Sequence, residues 1–219
     1  MKRISNPTGI DWPNQLEDFV RAAVGSSIMW DFDGVIADTE PIHELSYREV
    51  LAPFGITLTN DYFTNLIGKT EREIWTLLLA GNITDLNLNV ATLTTSRQKI
   101  VLNHSLRQLS PCWFVRDLVN EFSLVSKSQT IVSNGNPNTI STLLRAWSLD
   151  TIISMPDQKD SNLTKRELIK KLASSGQSII IEDNAGYLRF GRDNGAFAIA
   201  IEHSMNCGAQ FEDVVRLVI

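Results

Sequence analysis

Short, almost wholly apolar runs recur along this chain with helical segments between them, and few folds accept that order. The runs are 27–30 (SIMW), 130–133 (TIVS), 151–153 (TII), 178–181 (SIII) and 196–201 (AFAIAI). Runs this short, apolar at odd and even positions alike, are those of strands buried on both faces, as in parallel sheets. Between them Val115, Leu118, Val119 and Phe122 stand at i, i+3, i+4 and i+7, and Ile140, Leu143, Leu144 and Trp147 repeat the spacing of one helix face. Asn136 supplies a cap for the second of these helices, and Pro137 fits its first position. The alternation predicts an α/β fold, a doubly wound parallel sheet with helices on both faces and right-handed crossovers. Ligands of such sheets bind beyond the carboxyl ends of the strands, so the residues that follow each run are the place to look for chemistry.

From about residue 41 to 110 the alternation stops. Helical spacing persists there (Ile74, Leu77, Leu78) without a convincing apolar strand, which predicts a helical insertion at 41–110 into a core made of 1–40 and 111–219. Leu16, Phe19, Val20 and Ala23 predict a further helix over 15–24, within an N-terminal extension of residues 1–26. A hydrophobic fraction of 43% with 21% charged residues is that of a chain that folds. The formal charge is −5 and no Lys/Arg block stands out, which argues against nucleic acid as a partner. No run approaches the roughly 18–20 apolar residues of a membrane span, so no membrane partner and a cytoplasmic location are expected. Cys112 and Cys207 are too few for a disulfide framework and read as reduced thiols. The sequence accommodates a monomer or a homodimer.

At the ends of the first, second and fourth runs stand Asp31-Phe32-Asp33-Gly34, Ser133-Asn134-Gly135 and Glu182-Asp183-Asn184. Extended-chain alternation points Asp31 and Asp33 the same way, and Gly34 permits a sharp departure. Carboxylates gathered at one sheet edge repel one another unless a cation neutralises them, and an oxygen-only donor set suits magnesium. With that charge masked, Asp31 can attack a phosphorus atom and form an aspartyl-phosphate. Asp33 can then protonate the leaving oxygen and later deprotonate the hydrolytic water.

These motifs resemble those of the haloacid dehalogenase superfamily. MWDFDGVIADTE resembles its first motif, IVSNG its second and IIIEDNAGYLRFGRDNGAFAIAI its fourth, over about residues 27–202. The resemblance implies a Rossmann-like core with Asp31 as nucleophile and magnesium ligand. Asp33 would be the acid/base and lend its backbone carbonyl to the metal. Ser133 would bind the transferring phosphoryl group, aided by backbone amides around Phe32, Gly34, Asn134 and Gly135, and Asp183 with Glu182 would complete the metal site. The family's third motif is a lysine, commonly in a Lys-Pro pair, which this chain lacks. Lys159, 24 residues before Asp183, is expected in that role, with Lys165, 18 before, as the second choice.

An aspartate at position 33 favours phosphoryl transfer over dehalogenation within that family. The insertion resembles the family's small α-helical cap, a lid that would exclude water. DTEPIH places Thr39 and His43 as in β-phosphoglucomutase and related phosphatases, and IGKTERE, with Lys69 and Thr70, resembles the substrate-facing loop of such caps. Glu71 stands where the mutase-type arginine is expected, which counts against a mutase. Arg97, Lys99 and Arg107 are read as solvated, and Trp75 either packs in a core or touches substrate. The expected function is a magnesium-dependent phosphatase of a small phosphorylated metabolite, such as a sugar phosphate. The alternatives are a phosphoryl-transferring mutase or a catalytically weak relative that binds a metabolite or a partner.

Overall fold

The structure is a computed structural model and describes residues 12–59, 63, 69, 71–82, 89–203, 206 and 215–218. In chain order its regular elements are α1 (Trp12–Ala23), β1 (Ser27–Trp30), α2 (Glu40–Leu51), α3 (Glu71–Asn82), α4 (Val90–Gln108), α5 (Val115–Val125), β2 (Ser128–Ile131), α6 (Pro137–Ala146), α7 (Lys165–Ala173), β3 (Ser178–Glu182), α8 (Ala185–Asp193), β4 (Phe197–Glu202) and β5 (Val215–Val218). Two compact units result: Met1–Asp38, Ser110–Gly135 and Leu144–Ile219 form one, and Thr39–Leu109 with Asn136–Leu143 form the other.

The first unit holds the sheet. Its order is β2-β1-β3-β4-β5, and every neighbouring pair is parallel, the doubly wound arrangement expected from the apolar runs. Trp30 pairs with Ile131 on one side and with Ile181 on the other. The ladder continues one step further, with the Asp31 N–H donating to the Ile181 carbonyl at 3.0 Å and the Val132 N–H to the Trp30 carbonyl at 2.7 Å. That register brings Asp31, Val132 and Glu182 level with one another at the carboxyl edge.

Alternation along the strands divides the core into two faces. Met29, Ile180, Ala198 and Ala200 pack with Leu168, Ile169 and Ala173 of α7 and Leu188 of α8. Ile28, Trp30, Ile179, Ile181 and Ile199, one residue out of phase, are fully buried as well. On that face the Trp30 ring meets Phe122 of α5 at 6.0 Å between centroids. The Trp30 indole N–H donates to Gln129 Oε1 (3.0 Å), whose amide donates to the Val119 carbonyl (2.9 Å), so the polar atoms buried here are paired.

Of the strands, one expected run forms none, one is displaced by two residues and one was not expected. Residues 151–153 form no strand: the N–H groups of Ile152 and Ile153 turn back to the Leu149 carbonyl, at 3.0 and 2.8 Å. A single bridge, Thr130 with Ser154, is all that segment adds to the sheet. Strand β2 begins two residues before the run at 130–133, because pairing with β1 rather than apolarity sets its limits. Strand β5 carries Arg216 in the middle of four residues, which hides its pattern.

In the second unit Tyr47, Val50 and Leu51 of α2 pack with Leu58, with Trp75 and Leu78 of α3, and with Leu93 of α4. Trp75 is 2% exposed and meets the Tyr47 ring edge-on at 5.3 Å, so it is a core residue. Arg97 is not solvated as expected, being only 7% exposed. Its Nε donates to Glu71 Oε1 (2.8 Å), its Nη1 donates to Ser46 Oγ (3.1 Å), and its guanidinium lies 4.3 Å from the Tyr47 ring centroid. A buried guanidinium persists only with such partners. Lys99 and Arg107 are exposed as expected. No described helix is long and apolar enough to cross a membrane.

Candidate active site

Asp31 leaves the end of β1, the strand flanked by β2 and β3, and is 6% exposed. Its Oδ1 accepts the Phe32 backbone N–H at 2.8 Å. Its Oδ2 lies 2.8 Å from Lys165 Nζ, and the same ammonium is 2.7 Å from Glu182 Oε2. The ammonium also sits 4.4 Å from the centroid of the Tyr187 ring. Lys165 is the first residue of α7, and a capping box fixes that start. The Glu167 N–H donates to Thr164 Oγ1 (3.3 Å), and the Thr164 N–H donates to Glu167 Oε2 (2.8 Å). The helix therefore begins at 165 and its first side chain enters the core.

Lys159, the lysine expected here, is elsewhere. Its side chain is 72% exposed and pairs at 3.2 Å with Asp157, which precedes the short 3₁₀ turn Gln158–Asp160 that holds Lys159. A count of residues back from Asp183 does not see where the following helix starts, and the helix start decides which ammonium reaches Asp31.

Burial raises the Asp31 carboxyl above its ordinary value; Lys165 opposes this, and Asp33 and Asp183 add to it. Glu182, 1% exposed, is pushed up further, by burial first and by Asp31 next. Burial alone would lower the Lys165 ammonium, but the two carboxylates outweigh it and raise its affinity for the proton. One ammonium thus faces more carboxylate than it neutralises. Asp31, Glu182 and Asp183 each offer an oxygen within 4.8 Å of the others. This oxygen-only donor set, in excess over the local positive charge, fits a divalent cation.

The remaining strand-end residues frame the same edge. Asp33 is half-buried and forms a bridge with Ala37. Phe32 is buried and stacks on Trp147, its ring centroid 6.0 Å away. Gly34 has φ 74°, and a Cβ there would lie 2.4 Å from Asp183 Oδ2 and 3.1 Å from His203 Nε2. Ser133 is half-buried with its Oγ accepting the Gly135 N–H at 3.0 Å, and Asn134 donates its amide to the Tyr187 hydroxyl at 3.0 Å. His203 was not anticipated, although it follows the end of β4 and the strand-end rule would have found it; its Nε2 lies 3.0 Å from Asp183 Oδ2.

Thr39 and His43 belong to the second unit. Thr39 is buried at the start of α2, and its carbonyl accepts the His43 N–H at 3.0 Å. His43 Nδ1 faces Arg97 Nη1 at 3.4 Å. Guanidinium only donates, so Nδ1 accepts and the imidazole carries its proton on Nε2. Lys69 is exposed, and Thr70 lies outside the described residues.

Comparison with known proteins bears on the fold and the family. The curated Phosphorylated carbohydrates phosphatase of Thermotoga maritima is 38% identical over 47 residues, 22% of this chain and 22% of that protein. Crystal structures of CbbY from Rhodobacter sphaeroides, one with phosphate and one, of a variant, with xylulose-1,5-bisphosphate, superpose with TM-score 0.72 at 18% identity, covering 90% of this chain and 94% of theirs. A HAD hydrolase of family IA, variant 3, from Entamoeba histolytica gives TM-score 0.69 at 16% identity, covering 89% and 92%. Residues 28–201 match the haloacid dehalogenase-like hydrolases from β1 to β4, and the chain belongs to that family.

Proposed function

We propose that the protein is a magnesium-dependent phosphatase that hydrolyses a small phosphorylated metabolite, a sugar phosphate or similar monoester, through an aspartyl-phosphate on Asp31. The observation that carries this reading is the buried Asp31 carboxylate at the end of β1, 2.8 Å from the Lys165 ammonium and beside Glu182 and Asp183. The naming of a curated relative for phosphorylated carbohydrates supports the substrate class.

Asp31, Asp183 and Glu182 would hold the magnesium ion, with the Asp33 backbone carbonyl. When bound, the ion supplies positive charge that lets an anionic nucleophile approach an anionic phosphoryl group. Asp31 attacks phosphorus; its P–O bond forms as the bond to the substrate oxygen breaks. Asp33 gives that oxygen its proton and then takes one from the water that cleaves the aspartyl-phosphate. Lys165 keeps Asp31 ionised and offsets charge gathering on the phosphoryl oxygens. Ser133 donates to one of those oxygens. Thr39, His43, Lys69 and Thr70 read the rest of the substrate, His43 through its Nε2–H.

The test is hydrolysis of p-nitrophenyl phosphate and a panel of sugar phosphates, with magnesium and with chelator, by wild type and Asp31→Asn. Magnesium-dependent release of phosphate that the variant loses is the expected result. Equal turnover by Asp31→Asn would sink the covalent mechanism, and turnover insensitive to chelator would sink the metal.

A further inference from the structure

The end of β4 reaches into the carboxylate cluster through one side chain. His203 is half-buried, and its Nε2 is 3.0 Å from Asp183 Oδ2. An ionised carboxylate only accepts, so that imidazole nitrogen carries the hydrogen. The contact is built in at both ends. The His203 backbone N–H donates to Asn206 Oδ1 at 2.8 Å, and Asn206 Nδ2 donates to the carbonyls of Asp183 and Ile201, both at 2.9 Å. One asparagine thus ties the backbone beneath the histidine to the backbone of the aspartate. The third side is Gly34, whose missing Cβ leaves the space that Asp183 Oδ2 and His203 Nε2 occupy. Three strand-end segments, after β1, β3 and β4, meet at a single carboxylate oxygen.

We infer that His203 is a positioning residue for magnesium binding: its Nε2–H holds the Asp183 carboxylate in the orientation in which it accepts the ion. This rests on the proposed reading of Asp183 as a magnesium ligand. An aspartate side chain rotates freely unless something fixes it, and donors behind a ligating carboxylate keep it aligned and reduce the entropy lost on binding; removing one costs metal affinity about 10–100-fold. A salt bridge that served folding alone would not need its acceptor in the metal cluster, nor a glycine opposite to make room.

Calorimetric titration of magnesium into the wild-type protein, His203→Ala, His203→Gln and Asp183→Asn decides the matter, with thermal melting of each as a check on folding. The expected result is weakening of about 10–100-fold in His203→Ala and recovery of most of that loss in His203→Gln, which keeps a donor at similar reach. Magnesium binding by His203→Ala at wild-type affinity would overturn the inference while leaving the proposed function intact. A glutamine variant no better than the alanine one would overturn it too, since the histidine's part would then be packing. Wild type that binds no magnesium, or Asp183→Asn that binds as well as wild type, would overturn the reading of the site beneath it, and the inference with it.

Discussion

Replacing Lys165 by Met keeps the length of the side chain and removes the ammonium from between Asp31 and Glu182, 2.8 and 2.7 Å away. The side chains are 3%, 8% and 1% exposed, so solvent cannot take over the role. Leaving buried charge without its partner costs about 3–5 kcal/mol, a large part of the roughly 5–15 kcal/mol that holds a domain together. The pH dependence has a definite sign. Lys165 binds its proton more tightly folded than unfolded, so its contribution is fully present below its ordinary value of 10.5 and is lost only above it. In the variant the carboxyls, ordinarily at 3.8 and 4.5, lie still higher in the fold, so the variant loses stability as pH rises past those values. Urea unfolding at about pH 7 and about pH 5 should therefore give a larger deficit at the higher pH. Lys159→Met removes an exposed pair and should stay within about 1 kcal/mol of wild type. In turnover, Lys165→Met should lose about 10²–10³-fold in kcat and Lys159→Met almost nothing. A Lys165→Met protein as stable as wild type, a deficit that grows on acidification, or a larger effect at Lys159 would refute the reasoning.

Arg97→Met should destabilise by about 2–3 kcal/mol, below the cost of a fully buried pair because Glu71 is 30% exposed; a double-mutant cycle with Glu71→Gln should give a coupling of at least about 0.5 kcal/mol, and strict additivity would contradict the pairing. Gly34→Ala places a Cβ 2.4 Å from Asp183 Oδ2 at a left-handed φ, which should cost about 1–2 kcal/mol in unfolding and weaken magnesium binding; unchanged binding would mean that Asp183 gives way freely. The Cys112 thiol is pushed up to about 11 from 9, by burial first and Asp38 next. In a Cys207→Ser background it should react with iodoacetamide at about pH 8 roughly a hundredfold more slowly than free cysteine, and a rate near that of the free amino acid would contradict the burial.

What could be read from residues alone was the part fixed by short-range periodicity. Strands β1, β3 and β4 carry uninterrupted apolar runs because both of their faces are covered, and the parallel order of the sheet follows from the helices between them. Asp31, Ser133 and Glu182-Asp183 were legible for the same reason, since each stands where an apolar run gives way to polar residues. Strand β5 was not, because one arginine in four residues breaks the run. The segment 151–153 misled in the opposite sense: Ile153 is apolar because it is buried in a turn.

The errors over charged residues share one cause, which is that a charge has no assignable role until its partner is known. Lys159 and Lys165 are equally basic in the sequence; the difference between them is a capping box at Thr164 and Glu167 that starts α7 and turns the second lysine inwards. Arg97 looked solvated because its helix, α4, has a weak apolar face, yet its guanidinium is satisfied by Glu71, 26 residues earlier, and by Ser46 on another helix. Glu71, taken alone, reads as a missing arginine; paired with Arg97 it is one half of a locally neutral unit. His203 passed unnoticed because it follows β4 outside the motifs that marked the other strand ends, and only the sheet brings it to Asp183, 20 residues away. In each case the informative quantity is a separation in space set by helix starts and strand register, so a site built of charges becomes readable only once those are fixed.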